Sequence, residues 1–353
     1  MTINQHEIGI LKLSNNFSTQ KIRELLSQKH QNIVIVSHRN PDGDAMGSSL
    51  ALYQFLKSMG HFPKVVVPNF FAGFLRWMPG SSDVMVYDWI PDKCNEVFKN
   101  SSILFAVDFN DLSRIREFHE HLMPVDSYKV LIDHHPSPGD FADLTISDTG
   151  VSSTCELVYL FLKSLGHDEL IYKEVAECIY TGIMTDTGCF SFNSSNRQTF
   201  DVVADLLDIG IDKDSIYDRV YDNYSYDRMK LLGHCLQEKM VYLPEYKTAF
   251  LSLSSEDMKK YNFKVGDSEG FVNVPLSIKG VIFSALFTEK EDVVKVSLRS
   301  KGNFAVNNIA SKYFNGGGHI NASGGESTAS LEKTIKTFIE LLPIYKTALE
   351  NAE

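Results

Sequence analysis

Short apolar runs bounded by polar residues alternate with amphipathic stretches through roughly the first two hundred residues of the chain. The apolar runs are rich in β-branched side chains, which indicates buried strands, and they lie at 32–37, 64–67, 103–107 and 129–132. Helical periodicity predicts helices at 45–58 and 152–165. This alternation predicts an α/β fold with a mostly parallel sheet flanked by helices.

The pattern changes after a helical stretch at 225–238. Further strands are predicted at 247–252, 281–287 and 293–298, and a helix at 331–349 closes the chain. These elements predict a second, smaller α/β domain with a mixed sheet. We therefore divide the chain into a first domain at 1–222, a connecting helix at 223–242 and a second domain at 243–353, with a cleft between the two domains.

The composition argues against a membrane protein, an exported protein and a protein that binds long nucleic acid. Hydrophobic residues make up 43% of the chain and charged residues 22%, and no apolar run reaches the roughly 18 residues of a membrane-spanning helix. The first residues, Met1 to Glu7, lack a basic stretch followed by an apolar core, and the five cysteines show no close paired spacing. We therefore expect a cytoplasmic protein without an export signal or a membrane association. The net charge of −11 argues against long nucleic acid as a partner.

Ionisable residues cluster after three of the predicted strands and after the helical stretch that begins at Glu169. Most have an ordinary structural explanation when taken singly: Asp44 as a helix cap, Asp42 as a turn residue, Asp108 or Asp111 as caps, and Asp186 in a Thr- and Gly-rich turn. The run Asp133-His134-His135 is harder to explain in this way. Burying three unpaired ionisable groups would cost several kcal/mol, so the run favours a metal or phosphate partner.

Together the clusters supply two imidazoles and four carboxylates, from His38, Asp42, Asp44, Asp108, His134 and Asp186. A set of oxygen and nitrogen ligands without thiolate suits Mn²⁺ best, and Mg²⁺, Co²⁺ or Fe²⁺ are also compatible. Six side chains are too many for one catalytic ion and fit two ions with one bridging carboxylate. Two dications would also neutralise the mutual repulsion of the four carboxylates.

The four clusters, in this order and with this spacing, resemble the DHH phosphoesterase family, whose name is the run Asp133-His134-His135. The second domain resembles the family's DHHA1 domain through Val296-Ser297-Leu298-Arg299-Ser300 and the glycine-rich segment from Phe314 to Gly325. The resemblance extends from about Ile33 to about Gly325. It is closest to the short two-domain group of NrnA-type oligoribonucleases and 3′-phosphoadenosine 5′-phosphate phosphatases.

The resemblance implies how the metal ligands divide between two ions. One ion would be held by His38, Asp42 and Asp108, and the other by Asp44, Asp108, His134 and Asp186. Asp108 would bridge the two ions. Asp133 would support the site by orienting a metal ligand through a hydrogen bond, and His135 would contact the substrate phosphate or the leaving group.

Substrate contacts are expected in the DHHA1-like segment. The backbone amides of Gly317 and Gly318 would approach a phosphate closely because no side chain blocks them. His319 follows these glycines directly, and Arg299 can donate paired hydrogen bonds to a phosphate. In the first domain, Arg114 is a further candidate phosphate contact.

The resemblance implies a hydrolase of phosphoester bonds that uses metal-activated water on oligoribonucleotides a few nucleotides long, on 3′-phosphoadenosine 5′-phosphate (PAP), or on both. A cyclic di-AMP phosphodiesterase and a non-catalytic nucleotide sensor on the same scaffold remain alternatives. The segment from Gly316 to His319 disfavours a family II inorganic pyrophosphatase, and the chain length and charge disfavour a RecJ-type exonuclease. Related proteins often form homodimers, although the sequence carries no interface signal.

Overall fold

A computed structural model of the chain describes residues 19–115, 118–123 and 125–352. Contacts within the chain divide it into two compact units, Met1–Asn223 and Tyr224–Glu353. The expectation that no export signal is present concerns the first seven residues, which lie outside the described residues. Within the described residues, no helix combines the length and the apolar character needed to cross a bilayer.

The sheet of the first unit is entirely parallel. Its strands are β1 (Asn32–Val36), β2 (Phe62–Val67), β3 (Met85–Val86), β4 (Ile103–Val107), β5 (Tyr128–Asp133) and β6 (Leu144–Ser147). They lie in the order β3-β2-β1-β4-β5-β6, so all their carboxyl ends meet at one edge. The strand order reverses direction between β1 and β4, and open α/β sheets bind their ligands at such a switch point.

Helices cover both faces of this sheet. They are α1 (Gln20–Ser27), α2 (Gly43–Ser58), α3 (Pro91–Lys99), α4 (His119–Leu122), α5 (Thr154–Leu165), α6 (Lys173–Asp186), α7 (Arg197–Asp208) and α8 (Lys213–Tyr221). On β1, Ile33 and Ile35 join the core cluster that includes α2, α5 and α6, whereas Val34 and Val36 join the cluster that includes α3. Because both faces are buried, the central strands β1 and β4 carry continuous apolar runs, Ile33 to Val36 and Ile103 to Val107.

The second unit has a mixed sheet. Its elements are α9 (Tyr226–His234), β7 (Val241–Leu243), β8 (Thr248–Leu253), α10 (Ser255–Lys260), β9 (Phe283–Glu289), β10 (Val294–Ser300), α11 (Val306–Tyr313), β11 (Gly317–Gly318), β12 (Ala322–Ser327) and α12 (Leu331–Glu350). The strand order is β11-β12-β10-β9-β8-β7. Strands β8 and β9 pair in parallel, and the other neighbours are antiparallel. Helix α12 packs Phe338 against Phe250, Phe283 and Phe287 of the sheet.

The predicted α/β class, with a mostly parallel sheet and a smaller mixed-sheet unit, is confirmed. Helix α2 begins two residues earlier than its predicted start because Asp42, rather than Asp44, is its N-cap. The Asp42 carboxylate accepts hydrogen bonds from the backbone N–H groups of Asp44 and Ala45, both at 3.1 Å. The helix predicted at 225–238 ends at His234 and continues as a π-helical turn over Cys235–Lys239.

Candidate metal centre

The candidate metal ligands of the first unit gather at the carboxyl edge of its sheet. His38 follows β1, Asp108 follows β4 directly, and His134 follows β5 directly. Asp44 lies in the first turn of α2. Asp186, which was predicted to lie in a turn, is instead the last residue of α6. The helix therefore continues into the Thr- and Gly-rich sequence and ends at Thr187, its C-cap.

Asp108 lies between two histidines. Its Oδ2 is 3.3 Å from Nε2 of His38, and its Oδ1 is 3.9 Å from Nε2 of His134. Its backbone φ is +64°, in the left-handed region that few residues other than glycine adopt. Asp and Asn tolerate this region better than most residues, and strained backbone of this kind clusters at functional sites. The local geometry therefore favours an aspartate at the centre of the site.

Within the described part of the chain, three groups of side chains that could hold an ion share Asp108; one is Asp108 with Asp133 and His135, and the other two contain only predicted metal ligands. The first ligand group is His38, Asp42 and Asp108, and the second ligand group is Asp44, Asp108 and His134; within each group the candidate ligand atoms lie within 4.8 Å of one another. Asp186 adjoins the second group, with Oδ2 at 3.5 Å from Nε2 of His134. Because the groups contain only imidazole and carboxylate and have one carboxylate in common, they fit a pair of divalent ions.

The N-terminus of α5 holds two of these carboxylates in place. The backbone N–H groups of Thr154 and Cys155 donate to Oδ2 and Oδ1 of Asp44 at 2.7 and 2.8 Å. The Thr154 hydroxyl donates to Oδ1 of Asp108 at 2.8 Å. A helix N-terminus stabilises negative charge. Thr154 is not among the predicted site residues; its only signal in the sequence is the Ser152-Ser153-Thr154 run at the start of a predicted helix.

Two glycines that the sequence analysis also missed allow the helices of the site to approach closely. A Cβ atom at Gly47 of α2 would lie 2.6 Å from the carbonyl oxygen of Cys178 in α6. A Cβ atom at Gly182 of α6 would lie 2.1 Å from Sγ of Cys155 and 2.8 Å from Oδ1 of Asp44. Larger residues would therefore separate the helices that bring Asp44 and Asp186 to the site.

Burial and crowding favour the neutral forms of most of these groups. Burial, and after it the charge of Asp186, raises the pKa of Asp44 to about 6. Burial and the charges of Asp44 and Asp42 raise the pKa of Asp108 well above its usual value. Burial lowers the pKa of His38 to about 4 and also lowers the pKa of His134. A bound dication would favour both the ionised carboxylates and the neutral imidazoles.

Asp133 and His135 form a buried pair beside these groups. Oδ1 of Asp133 lies 2.7 Å from Nδ1 of His135, and Asp133 is fully buried. Among the described residues, Oδ2 of Asp133 has no hydrogen-bond partner. The group that Asp133 contacts by hydrogen bonding is therefore His135.

Arg114 lies next to the first ligand group. Its carbonyl oxygen accepts a 2.9 Å hydrogen bond from the backbone N–H of Arg39, the residue after His38. The charge of Arg114 also contributes, after burial, to the lowered pKa of His38. The positive charge of Arg114 therefore lies within electrostatic reach of His38.

In the second unit, the candidate substrate contacts lie on the two strands that flank β12 and on the residue after β11. Arg299 of β10 pairs with Ala322 of β12, and Gly318 of β11 pairs with Ser323 of β12. The backbone N–H of His319 donates to the carbonyl of Ala322 at 2.8 Å. The sheet register thus places Arg299 on one side of β12, and Gly318 and His319 on the other side, near the same end of that strand.

The three consecutive glycines differ in their surroundings. A Cβ atom at Gly316 would lie 1.9 Å from the carbonyl oxygen of Gly324, and Gly318 has a φ of +136°. A Cβ atom at Gly317 would meet nothing within 4 Å. Gly316 and Gly318 are therefore required by the backbone, whereas Gly317 leaves its backbone open to an approaching group.

Comparisons with known proteins agree across both units. The family model of the DHH family, N-terminal domain, matches residues 32–183, and that of the DHHA1 domain matches residues 246–343. The bifunctional oligoribonuclease and PAP phosphatase NrnA of Thermus thermophilus is 32% identical over 86% of this chain and 86% of its own length. The protein of the same name from Bacillus subtilis is 28% identical over 84% of this chain and 89% of its own length.

A solved structure extends the comparison to the fold. The crystal structure of an exopolyphosphatase-related protein from Bacteroides fragilis superimposes with a TM-score of 0.90 at 44% identity, and the match covers 95% of this chain and 99% of the other. The sequence motifs, the family models and the relatives all agree on one assignment. The chain belongs to the DHH phosphoesterase family, carries a DHHA1 domain as its second domain, and is a hydrolase that acts on phosphoester bonds.

Proposed function

We propose that the protein hydrolyses oligoribonucleotides a few nucleotides long, PAP, or both, with two divalent metal ions bound in its first unit. The observation that carries the proposal is that Asp108 belongs to both ligand groups. The names of the Thermus and Bacillus relatives support the choice of substrate.

The first ion would be held by His38, Asp42 and Asp108, and the second by Asp44, Asp108, His134 and Asp186. Mn²⁺ suits this set best, and Mg²⁺, Co²⁺ or Fe²⁺ are compatible with it. Two bound ions would lower the pKa of a water molecule from ~15.7 toward neutrality and balance charge on the phosphoryl oxygens.

His135, held by Asp133, would donate a proton to the leaving-group oxygen. We assign the proton on Nδ1 of His135 to the hydrogen bond with Asp133. The neutral ring then has Nε2 as its acceptor atom. A proton taken up at Nε2 would be stabilised by the buried Asp133 carboxylate, so that His135 could pass it to the leaving oxygen.

Local cations and backbone amides would hold the substrate, since the chain as a whole carries a net charge of −11. In the first unit, Arg114 would contact a phosphate. In the second unit, the proposed substrate contacts are Arg299, Gly317, Gly318 and His319. A few local contacts of this kind suit a short nucleotide rather than a long nucleic acid.

A turnover panel tests the proposal. Protein stripped of metal with a chelator would be assayed with and without added Mn²⁺ on the dinucleotide pApA, PAP, cyclic di-AMP and inorganic pyrophosphate. We expect metal-dependent hydrolysis of pApA, PAP or both. Hydrolysis of pyrophosphate alone would contradict the proposal, a preference for cyclic di-AMP would favour the phosphodiesterase alternative, and nucleotide binding without turnover would favour a sensor.

A further inference from the structure

A stack of aromatic rings ends in solvent at the same sheet edge as the candidate metal centre. Phe70 lies in the loop after β2 and Trp89 in the loop after β3, and both loops leave the carboxyl edge. The Phe70 ring stacks on Trp89 with centroids 4.8 Å apart and on Phe71 with centroids 4.9 Å apart. Phe71 is buried, whereas Trp89 is 64% exposed. The stack therefore runs from the core to solvent and ends on Trp89.

A cation accompanies the rings. The guanidinium carbon of Arg76 lies 4.5 Å from the centroid of the Phe70 ring, and the Arg76 side chain is exposed. An arginine stacked on an aromatic ring can still donate hydrogen bonds to a phosphate. We refer to Phe70, Trp89 and Arg76 together as the aromatic platform.

The loop after β2, which carries Phe70 and Arg76 of the platform, is tied to the turn that holds His38 and Asp42. The backbone N–H of Asn40 donates to Oδ1 of Asn69 at 2.6 Å, and Nδ2 of Asn69 donates to Oδ1 of Asn40 at 3.1 Å. Asn69 directly precedes Phe70, and Asn40 lies in the turn between His38 and Asp42. A substrate that places its phosphate beside His38 and Asp42 therefore has the aromatic platform next to it.

We propose that the aromatic platform binds a nucleobase of the substrate by stacking it on Trp89, while Arg76 contacts the adjoining phosphate. This inference rests on the proposed function and adds a base-binding subsite in the first unit. Every nucleobase has a flat π face, so aromatic side chains bind bases with little sequence preference. The occupant is a base because the platform combines flat rings with a cation.

Kinetics on matched substrates test this assignment. Trp89→Ala removes the exposed end of the stack, and we expect the KM for pApA to rise about 10-fold with little change in kcat. Trp89→Phe should keep most of the affinity. Phe62→Ala is the matched control, because Phe62 is 55% exposed but lies at the amino end of β2, at the opposite edge of the sheet. This control should leave the KM unchanged.

Combining Trp89→Ala with substrates that lack a base distinguishes direct stacking on Trp89 from an indirect effect of the substitution on the KM. Two analogues of pApA would each lack one base. If Trp89 stacks a base, removing that base should raise the KM about as much as Trp89→Ala does, and the two changes together should raise it no further. The proposal is overturned if Trp89→Ala leaves the KM for pApA unchanged, or if its effect multiplies both with the loss of the first base and with the loss of the second.

Tryptophan fluorescence gives a binding readout that does not depend on turnover. The chain has two tryptophans, and Trp77→Phe leaves Trp89 as the reporter. The indole N–H of Trp77 is buried with no hydrogen-bond partner among the described residues, so phenylalanine is a mild replacement. We expect pApA to quench the fluorescence of Trp89 in the metal-free protein in a saturable manner.

If the wild type hydrolyses pApA while Trp89 shows neither quenching nor a KM effect, only the proposal of the aromatic platform is overturned. A wild type that does not hydrolyse pApA would overturn the proposed function as well.

Discussion

The Thr154 hydroxyl donates a 2.8 Å hydrogen bond to Oδ1 of Asp108, and both residues are buried. The backbone N–H of Thr154 donates to Oδ2 of Asp44 at 2.7 Å. One residue thus positions the carboxylate common to both ligand groups and a second carboxylate beside it. Groups that hydrogen-bond to metal ligands fix the orientation of those ligands and so tune metal affinity.

Thr154→Val keeps the shape of the side chain and removes the hydroxyl. We expect Mn²⁺ affinity to fall about 10- to 100-fold, because the Asp108 carboxylate loses the bond that orients it, and turnover at limiting Mn²⁺ to fall with it. Titration calorimetry on metal-free protein measures the affinity directly. Thr154→Ser should restore it.

Thr199→Val is the matched control for this substitution. Thr199 is also fully buried, and its hydroxyl donates to Oε2 of Glu156 at 2.8 Å rather than to a candidate metal ligand. We expect Thr199→Val to bind Mn²⁺ as the wild type does. Equal Mn²⁺ affinity in the Thr154→Val variant and the wild type would remove Thr154 from the metal centre.

Asp108→Asn tests the shared carboxylate. Asparagine tolerates the φ of +64° at this position, so we expect the variant to fold. Because the amide cannot bridge two ions, turnover should fall more than about 100-fold. The number of bound Mn²⁺ ions should drop below two, as measured by atomic absorption after dialysis. Asp111→Asn is the control, since Asp111 is exposed in the same loop and its carboxylate accepts a hydrogen bond from the backbone N–H of Ser113 rather than from a group of the candidate metal centre. Near-normal turnover by Asp108→Asn would contradict the bridging role.

The sequence predicts those parts of the fold and site that depend on neighbouring residues. A buried parallel strand is a local apolar run, and β1 and β4 therefore end within one residue of their predicted ends. The Asp133-His134-His135 run is equally local, because it directly follows a strand whose apolar residues mark it. The order of the motifs then sufficed to indicate the family.

The remaining features arise from contacts between distant residues. Asp44 and Thr154 are 110 positions apart, and no periodicity links the start of α5 to a carboxylate on α2. Gly47 and Gly182 look ordinary inside helices until the two helices are placed together. Phe70 and Trp89 follow different strands, and only the pairing of β2 with β3 brings their rings into contact. Such features depend on the packed structure rather than on local sequence.

In the glycine run of the DHHA1 domain, Gly317→Ala and Gly316→Ala should have different effects on substrate binding and on stability. A methyl group at Gly317 meets no atom within 4 Å, so Gly317→Ala should leave the melting temperature within a few degrees of that of the wild type. It should raise the KM for pApA, because the methyl group hinders the approach of a phosphate to the backbone amide. Gly316→Ala should instead lower the melting temperature, since its methyl group would lie 1.9 Å from a carbonyl oxygen. An unchanged KM in Gly317→Ala would exclude this amide from the substrate site.

Asp257 is expected to make the stability of the second unit depend on pH. Its carboxylate accepts hydrogen bonds from the Ser254 hydroxyl at 2.6 Å and from His234 Nε2 at 2.8 Å, and Lys239 Nζ lies 3.0 Å away. Burial raises the pKa of Asp257, but the bonds with Ser254, Lys239 and His234 outweigh burial and hold this pKa well below its usual value. The ionised form is therefore favoured by folding. Its stabilisation is present above the unfolded-state pKa of about 3.9 and is lost as the pH falls further.

Asp257→Asn should accordingly reduce stability only where the wild-type carboxylate is ionised. At pH 7 we expect the variant to lose about 1–3 kcal/mol of unfolding free energy, the usual worth of hydrogen bonds to a charged group. The difference from the wild type should shrink as the pH falls from about 4 to about 2, because the unfolded wild-type chain then binds a proton at Asp257 that the folded protein does not bind. Thermal unfolding of the metal-free protein, followed by circular dichroism at several pH values, measures this difference. Glu256→Gln, at an exposed position on the same helix, should show no such change with pH. If the loss of unfolding free energy in Asp257→Asn stayed constant down to pH ~2, the ionised carboxylate would not be the source of the stabilisation.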